Sequence, residues 1–217
     1  MSEDIGNQSR NMLGAPFFAI DRHRIGIDGK GVRTLVGFCA CPLRCKYCIN
    51  PHSFAPDTKS KYFSPKELYE KVKIDQLYFL SSGGGVTFGG GEPLLYADFI
   101  AEFRRLCGKE WSLYAETSLN VPWENVQTVS ECIDKFFIDC KDTNSEIYRA
   151  YTGKDNSLML DNLRRLASIV SPERIVVRVP LIPSFNTEED RQKSITILRN
   201  LGIENFDLFE YKLPDSK

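Results

Sequence analysis

The sequence predicts a single α/β domain with a parallel sheet, and two observations support this prediction. Strand-like apolar runs alternate with helix-like segments along most of the chain. The strand-like runs are almost continuously apolar, as in a sheet that is covered on both faces. Six such repeats, joined by right-handed crossovers, form either an open, curved part of a β/α barrel or a doubly wound sheet. The pattern alone does not choose between the two.

The predicted elements alternate in order along the chain. The strand-like segments are residues 33–39, 85–90, 111–117, 134–140, 174–182 and 205–211. The helix-like segments are residues 64–73, 96–107, 123–133, 158–170 and 187–202. Ser64 and Thr187 are expected to cap two of these helices. Functional groups of either fold gather at the C-terminal ends of the strands, so the polar residues at those ends are the first candidates for a site.

Composition limits the classes of function. The chain has 217 residues and a formal net charge of −1, so we expect one domain over residues 1–217, with residues 1–16 as an N-terminal extension. A near-neutral chain gives no general attraction for nucleic acid or an anionic membrane. No apolar run has the length of a membrane span, and the N-terminus lacks a signal-peptide pattern. We therefore expect a cytoplasmic monomer with no nucleic-acid or membrane partner.

The strongest chemical signal is a cysteine loop directly after the first predicted strand. Cys41, Cys45 and Cys48 stand in the spacing C-x3-C-x2-C. In a reducing compartment such clusters indicate metal binding or catalysis sooner than disulfides. A [4Fe–4S] cluster normally takes four thiolates, so three would leave one iron open to a substrate. The alternative is a structural zinc site with Cys39 or His52 as fourth ligand, although such sites commonly use two separated pairs.

The other cysteines have a structural interpretation. Cys39 is expected within the first strand as a buried thiol, facing away from the loop. Cys107, Cys132 and Cys140 are isolated in helix-like or strand-like runs, where free cysteine is commonly part of the core.

The cysteine spacing, with Tyr47 before the last cysteine, resembles the signature of the radical S-adenosylmethionine (SAM) superfamily. The resemblance implies one [4Fe–4S] cluster, SAM bound at the open iron, and cleavage of SAM to methionine and a 5′-deoxyadenosyl radical. The stretch SSGGGVTFGGGEPLL, residues 81–95, supports it, because Gly90, Gly91 and Glu92 resemble the superfamily's GGEP element. Taken alone, this stretch is also consistent with an ordinary glycine-rich turn.

Four segments narrow the resemblance to the activating enzymes of glycyl radical enzymes, in the short, single-cluster form. They are GIDGKGVR (26–33), GGGVTFGGGEP (83–93), FFIDCKDTNSEIYRAYTG (136–153) and RVPLIPSFN (178–186). The resemblance implies a partial (β/α)6 barrel and abstraction of a glycine Cα hydrogen in a partner enzyme. It also implies a flavodoxin- or ferredoxin-like electron donor.

The resemblance assigns roles residue by residue. Asp28 is expected to meet the glycine-bearing loop of the partner, and Lys141 to pair with the SAM carboxylate; these two are the catalytic candidates. Glu116 and Asp139 are expected near a monovalent cation. The cofactor-binding candidates are Tyr47, Asn50, Gly90, Gly91, Glu92, Glu116, Thr117, Asp139, Lys141, Arg178 and Lys212. For a Lys or Asp at a strand end, the competing interpretation is an ordinary salt bridge.

Two departures from the family pattern keep other functions open. Relatives carry a histidine after the last cysteine, where this chain has Ile49, and a P-Y-H motif where it has Glu210, Tyr211 and Lys212. Lys212 stands at the position of the family's SAM-binding histidine. The alternatives are a radical SAM enzyme acting on another peptide or a small molecule and, less favoured, a non-catalytic metal-binding module.

Overall fold

A computed structural model describes residues 13–212. Within that range eight strands form one sheet: β1 (Ala15–Ile25), β2 (Val32–Phe38), β3 (Lys61–Phe63), β4 (Gly85–Gly90), β5 (Ser112–Thr117), β6 (Lys135–Asp139), β7 (Ile175–Arg178) and β8 (Phe206–Asp207). The α-helices are α1 (Pro65–Val72), α2 (Gln76–Ser82), α3 (Ala97–Cys107), α4 (Trp123–Ser130), α5 (Ser145–Thr152), α6 (Ser157–Ile169) and α7 (Glu188–Asn200). Four short 3-10 turns lie at Pro51–Phe54, Lys73–Asp75, Pro93–Tyr96 and Pro172–Arg174.

The strand order chooses between the two folds that the pattern left open. The order is β3-β1-β2-β4-β5-β6-β7-β8. Six of these strands pair in parallel with their neighbours and follow one another in chain order: β2, β4, β5, β6, β7 and β8. Right-handed crossovers that always step in the same direction place their helices on one face of the sheet. The sheet is open, since β3 and β8 are its two edges. The result is the expected partial barrel, and the six predicted parallel strands are confirmed.

Two strands, β1 and β3, and two helices, α2 and α5, have no counterpart among the segments predicted from the hydrophobic pattern. Strand β1 pairs antiparallel with both β2 and β3, so the sheet has eight strands instead of six. Strand β1 escapes the pattern because its second half, Asp21–Arg24, is charged and contains a bulge with His23 at φ 59°. The expected extension at residues 1–16 is too long by two residues, since Ala15 and Pro16 already belong to β1; its residues 1–12 lie outside the described residues.

The last two predicted strands are shorter than their apolar runs. Strand β7 covers Ile175–Arg178, where residues 174–182 were expected, and β8 has only Phe206 and Asp207. Pro180 and Pro183 cannot donate to a ladder, which ends the regular pairing of β7 early. Beyond β8 an isolated parallel bridge joins Leu181 to Glu210. The helix caps expected at Ser64 and Thr187 are both present, each as a capping box.

Alternation along the strands separates a helix-covered core from a polar inner face. Val36, Phe88 and Ile138 are fully buried in the aromatic-rich core between sheet and helices. Residues of the opposite parity, among them Arg33 and Glu116, lie on the inner face of the curved sheet, because successive side chains point to opposite sides. No helix between residues 13 and 212 is long and apolar enough to cross a membrane.

Candidate active site

A cavity of about 380 Å³ opens where the parallel strands end, and it collects most of the predicted site. Its lining includes all three cysteines of the C-x3-C-x2-C loop. Ten of the eleven predicted cofactor-binding residues also line it: Tyr47, Asn50, Gly90, Gly91, Glu92, Glu116, Thr117, Asp139, Lys141 and Arg178. The eleventh, Lys212, is exposed and does not line the cavity. The catalytic candidate Asp28 does not line it either.

The cysteine loop is fixed to its neighbours through backbone hydrogen bonds. The amides of Arg44 and Lys46 donate to the carbonyls of Thr152 and Tyr151, at the end of α5, over 2.9 and 3.0 Å. Burial, with a smaller contribution from Glu92, raises the pKa of the Cys41 thiol to about 12. Burial also raises the pKa of Cys45 to about 11, against the opposing effect of Lys141.

The three thiols suit an iron–sulfur cluster by donor chemistry, since soft thiolates in one short loop are its usual ligands. Metal ligation requires the thiolate form, so uptake of a metal by the half-buried Cys41 and Cys45 thiols would release protons. Among residues 13–212, no three or more His, Cys, Asp or Glu side chains form a ready-made group around a single ion.

The remaining cysteines follow their structural interpretation with one correction. Cys107, Cys132 and Cys140 are buried, as predicted. Cys39 is only half-buried and lies one residue beyond β2, because the strand ends at Phe38. It does not line the cavity.

Residues 90–92, the GGE loop, are joined to the start of the cysteine loop by backbone hydrogen bonds. The amide of Gly91 donates to Phe38 and that of Glu92 to Ala40, each over 2.9 Å. A Cβ atom at Gly91 would lie 2.1 Å from the carbonyl oxygen of Ala40, so only glycine permits this approach. The Asn50 side chain donates to the carbonyl of Gly90 over 3.3 Å. The predicted glycine-rich element therefore packs against the proposed cluster ligands.

The Glu92 carboxylate is 1% exposed and accepts four hydrogen bonds from the chain itself. The donors are the Thr117 hydroxyl (2.6 Å), the Ser118 amide (2.8 Å), the Ser118 hydroxyl (2.7 Å) and the Leu94 amide (3.2 Å). Burial raises the pKa of Glu92, and these hydrogen bonds oppose that effect. Glu92 thus joins the GGE loop to the end of β5. Ser118 was missed, since a serine one residue beyond a strand has no distinctive sequence signal.

A charged network crosses the ends of β5, β6 and β7. Arg178 donates to Asp139 over 2.7 Å and to Glu116 over 3.0 Å, and Lys141 lies 3.1 Å from the second Asp139 oxygen. Burial raises the pKa of Glu116, against the opposing effect of Arg178. Burial alone would raise the pKa of Asp139, but Arg178 and Lys141 outweigh it and the pKa lies below its ordinary value. The two carboxylates face two cations, so the network is balanced in formal charge.

Two tyrosines beside this network were missed by the sequence prediction. Tyr211 accepts a hydrogen bond from Lys141 over 2.9 Å, and Tyr151 is 1% exposed with a hydroxyl that has no partner among residues 13–212. Burial alone would lower the pKa of Lys141, but Asp139 and Tyr211 hold it well above its ordinary value. The sequence does mark this segment, because Glu210, Tyr211 and Lys212 stand where relatives have P-Y-H. The resemblance, however, pointed to Lys212 as the binding residue.

Asp28 lies in the loop between β1 and β2, which contacts the inner face of the sheet at Thr87. Its side chain is 5% exposed and forms an ion pair with Arg24, and its carbonyl accepts from the Thr87 hydroxyl over 3.0 Å. A Cβ atom at Gly29, where φ is +120°, would collide with the Tyr114 ring. The contact of Asp28 with a partner stays a prediction.

Comparison with known proteins identifies the family of this chain. The profile of the radical SAM superfamily matches residues 35–205. The (2S)-3-sulfopropanediol dehydratase activating enzyme of Klebsiella oxytoca is 31% identical, over 85% of this chain and 77% of the relative. The pyruvate formate-lyase-activating enzyme of Clostridium pasteurianum is 30% identical with the same two coverages, 85% and 77%.

Solved structures support the fold. Streptococcus suis SuiB bound to S-adenosylmethionine matches with a TM-score of 0.62 and 13% identity, over 83% of this chain but only 43% of that one. QueE from Escherichia coli matches with a TM-score of 0.51 and 11% identity, over 95% and 98% of the two chains. At such identities the likeness concerns the fold alone. The superfamily profile and the two activating enzymes, both at 30% identity or more, show that the chain is a radical SAM enzyme and belongs to the group of activating enzymes.

Proposed function

We propose that this enzyme abstracts a hydrogen atom from a glycine Cα of a partner glycyl radical enzyme. One observation carries the proposal: the three cysteines line the same cavity as the GGE loop and the Glu116–Arg178–Asp139–Lys141 network. The relatives at 30–31% identity are named as activating enzymes of a dehydratase and of a lyase, which favours the same role.

The residues divide the work by position. Cys41, Cys45 and Cys48 would hold the cluster. When bound, the cluster supplies the electron that cleaves SAM to methionine and a 5′-deoxyadenosyl radical. Lys141 offers a buried positive charge for the SAM carboxylate, and Asn50 fixes the GGE loop beside it.

The remaining residues shape the cavity around the bound SAM. Arg178 fixes Glu116 and Asp139 at the end of the sheet, and Tyr47 forms part of the aromatic wall, with its ring 5.9 Å from that of Tyr151. Closing the cavity would exclude water and so protect a reactive intermediate. A monovalent cation beside Glu116 and Asp139 stays a proposal, because both carboxylates already accept from Arg178.

Two partner proteins would act with this enzyme. Asp28 would meet the glycine-bearing loop of the partner, and a flavodoxin- or ferredoxin-like protein would deliver the electron.

The test uses anaerobic protein reconstituted with iron and sulfide. We expect a reduced-cluster electron paramagnetic resonance signal after dithionite, a change in that signal on adding SAM, and formation of 5′-deoxyadenosine. Cys45→Ser should abolish all three, whereas Cys39→Ser, one residue beyond β2 and outside the cavity, should leave them in place. A colourless protein that holds one zinc and forms no deoxyadenosine would contradict the proposal.

The substrate requires a separate measurement. With a glycine-loop peptide or an intact glycyl radical enzyme, the enzyme should produce a glycyl radical signal together with deoxyadenosine. Deoxyadenosine without that signal, over a panel of glycyl radical enzymes, would instead favour another peptide or a small molecule as substrate.

A further inference from the structure

The Lys141 ammonium retains one unused hydrogen-bond donor. An ammonium carries three N–H donors. In Lys141 one faces Asp139 Oδ2 over 3.1 Å and a second donates to Tyr211 Oη over 2.9 Å. Among residues 13–212, no third acceptor lies within hydrogen-bonding distance of this ammonium. Lys141 is 7% exposed and lines the cavity, so its third donor is available only to something inside it.

The Tyr211 hydroxyl retains a donor of its own. It accepts the hydrogen bond from Lys141, and a phenol that accepts can still donate its own hydrogen. Within the described chain no acceptor takes that hydrogen, and Tyr211 also lines the cavity. The side chain is held in place, because the Tyr211 amide donates to Leu181 over 3.0 Å and the ring packs edge-on against Phe209 at 5.6 Å between centroids.

Two adjacent donors on one cavity wall match the two oxygens of a carboxylate. Tyr211 is part of the strand-end segment in which Lys212 stood as the cofactor-binding candidate. Lys212 is exposed and outside the cavity lining, whereas Tyr211 contacts Lys141. The Tyr151 ring belongs to the same wall, with its centroid 6.3 Å from that of the Tyr211 ring.

We propose that Tyr211 and Lys141 together clamp the carboxylate of SAM, and that Tyr211, not Lys212, is the ligand-contacting residue of the Glu210–Lys212 segment. The inference rests on the proposed function, since it requires SAM in this cavity. It adds a binding residue that the sequence did not assign.

The test compares two ligands that differ in the carboxylate. Dissociation constants of SAM and of decarboxylated SAM are measured by anaerobic calorimetry on the cluster-loaded enzyme, for wild type, Tyr211→Phe and Lys212→Ala. Tyr211→Phe should weaken SAM binding about ten-fold, the value of one hydrogen bond to a charged group, and leave decarboxylated SAM unaffected. Lys212→Ala, one residue away on the same segment, should match wild type for both ligands.

The two ligands also identify failure. An equal loss for both ligands would show that Tyr211→Phe merely disturbs the wall and would overturn the inference, as would unchanged SAM binding or a selective loss in Lys212→Ala. Wild-type enzyme that binds neither ligand would refute the proposed function itself.

Discussion

Two arginines on the inner face of one sheet, Arg33 buried and Arg178 half-buried, have opposite surroundings. Arg33, on β2, is 0% exposed and bonds only to neutral acceptors, with its guanidinium 3.6 Å above the Tyr114 ring. Its acceptors are the Thr87 hydroxyl, the Ser112 hydroxyl and the carbonyls of Lys30, Val86 and Ser112. Arg178, on β7, bonds to two carboxylates and lines the cavity.

The two arginines also differ in the direction of their pKa shifts. Burial without a bonded carboxylate lowers the pKa of Arg33 to about 10, whereas the adjacent Asp139 and Glu116 raise that of Arg178 despite its burial. Arg33 has used its donors to tie the Asp28 loop to the sheet. Arg178 instead holds two carboxylates at the cavity where we propose that SAM binds. The two arginines therefore differ in the partners they bond, and we expect the one with neutral partners to serve folding and the one with charged partners to serve binding.

Arg33→Met should have the largest effect of the three variants, and on stability. The change removes five hydrogen bonds and leaves buried acceptors unsatisfied, so we expect a loss of about 3–5 kcal/mol in the free energy of unfolding. Denaturant unfolding at pH 7 measures it, with the exposed Arg149→Met as matched control. SAM cleavage per folded molecule should stay close to wild type. A loss of cleavage with unchanged stability would contradict a structural role for Arg33.

Arg178→Met should reverse that result. Loss of both ion pairs releases Glu116 and Asp139 from their positions, and misplacement in an active site costs about 100-fold in rate. Deoxyadenosine formation measures it. Because the carboxylates border the cavity and water can reach them, the loss in unfolding free energy should stay below about 2 kcal/mol. A variant that is unstable yet fully active per folded molecule would make Arg178 a structural residue.

Of the three variants, Asp75→Asn should have the smallest effect, and that effect should be on the free energy of unfolding. Asp75 is 0% exposed and, like Asp139, is paired with an arginine, but it does not line the cavity. Arg22 donates to it over 2.6 and 2.5 Å, and His23 over 2.9 Å. Because Arg22 is half-exposed and can be hydrated, we expect a loss of only about 1–2 kcal/mol at pH 7, with SAM cleavage unchanged.

The pH dependence supplies the sign of that effect. Hydrogen bonds from Arg22 hold the pKa of Asp75 below its ordinary value, with burial opposing them. Its contribution to stability is therefore present above the unfolded-state pKa of about 4 and is lost as the pH falls through the lower folded-state value. The wild-type advantage over Asp75→Asn should shrink below about pH 4 in denaturant titrations. An advantage that persists there would show that Asp75 acts through packing and not through charge.

Three features could be predicted from the sequence alone: the six parallel strands, the cysteine loop and the glycine-rich element. Each depends on neighbours along the chain: apolar runs, the spacing of Cys41, Cys45 and Cys48, and the close approach that only Gly91 permits. The polar residues at the strand ends were predictable for the same reason, because parallel strands end at one edge of a sheet. Ten of the eleven cofactor-binding candidates accordingly line one cavity, and the test of their individual roles is experimental.

Strand β1, the length of β8 and the contact between Lys141 and Tyr211 could not be predicted from the sequence. Strand β1 depends on pairing with β2 and β3, and its charged second half hides it from a hydrophobic pattern. Strand β8 has two residues, too few for alternation to show whether Tyr211 or Lys212 faces the cavity. The contact of Lys141 with Tyr211 joins residues 70 positions apart, and such contacts arise from how the chain closes on itself, which local sequence does not encode.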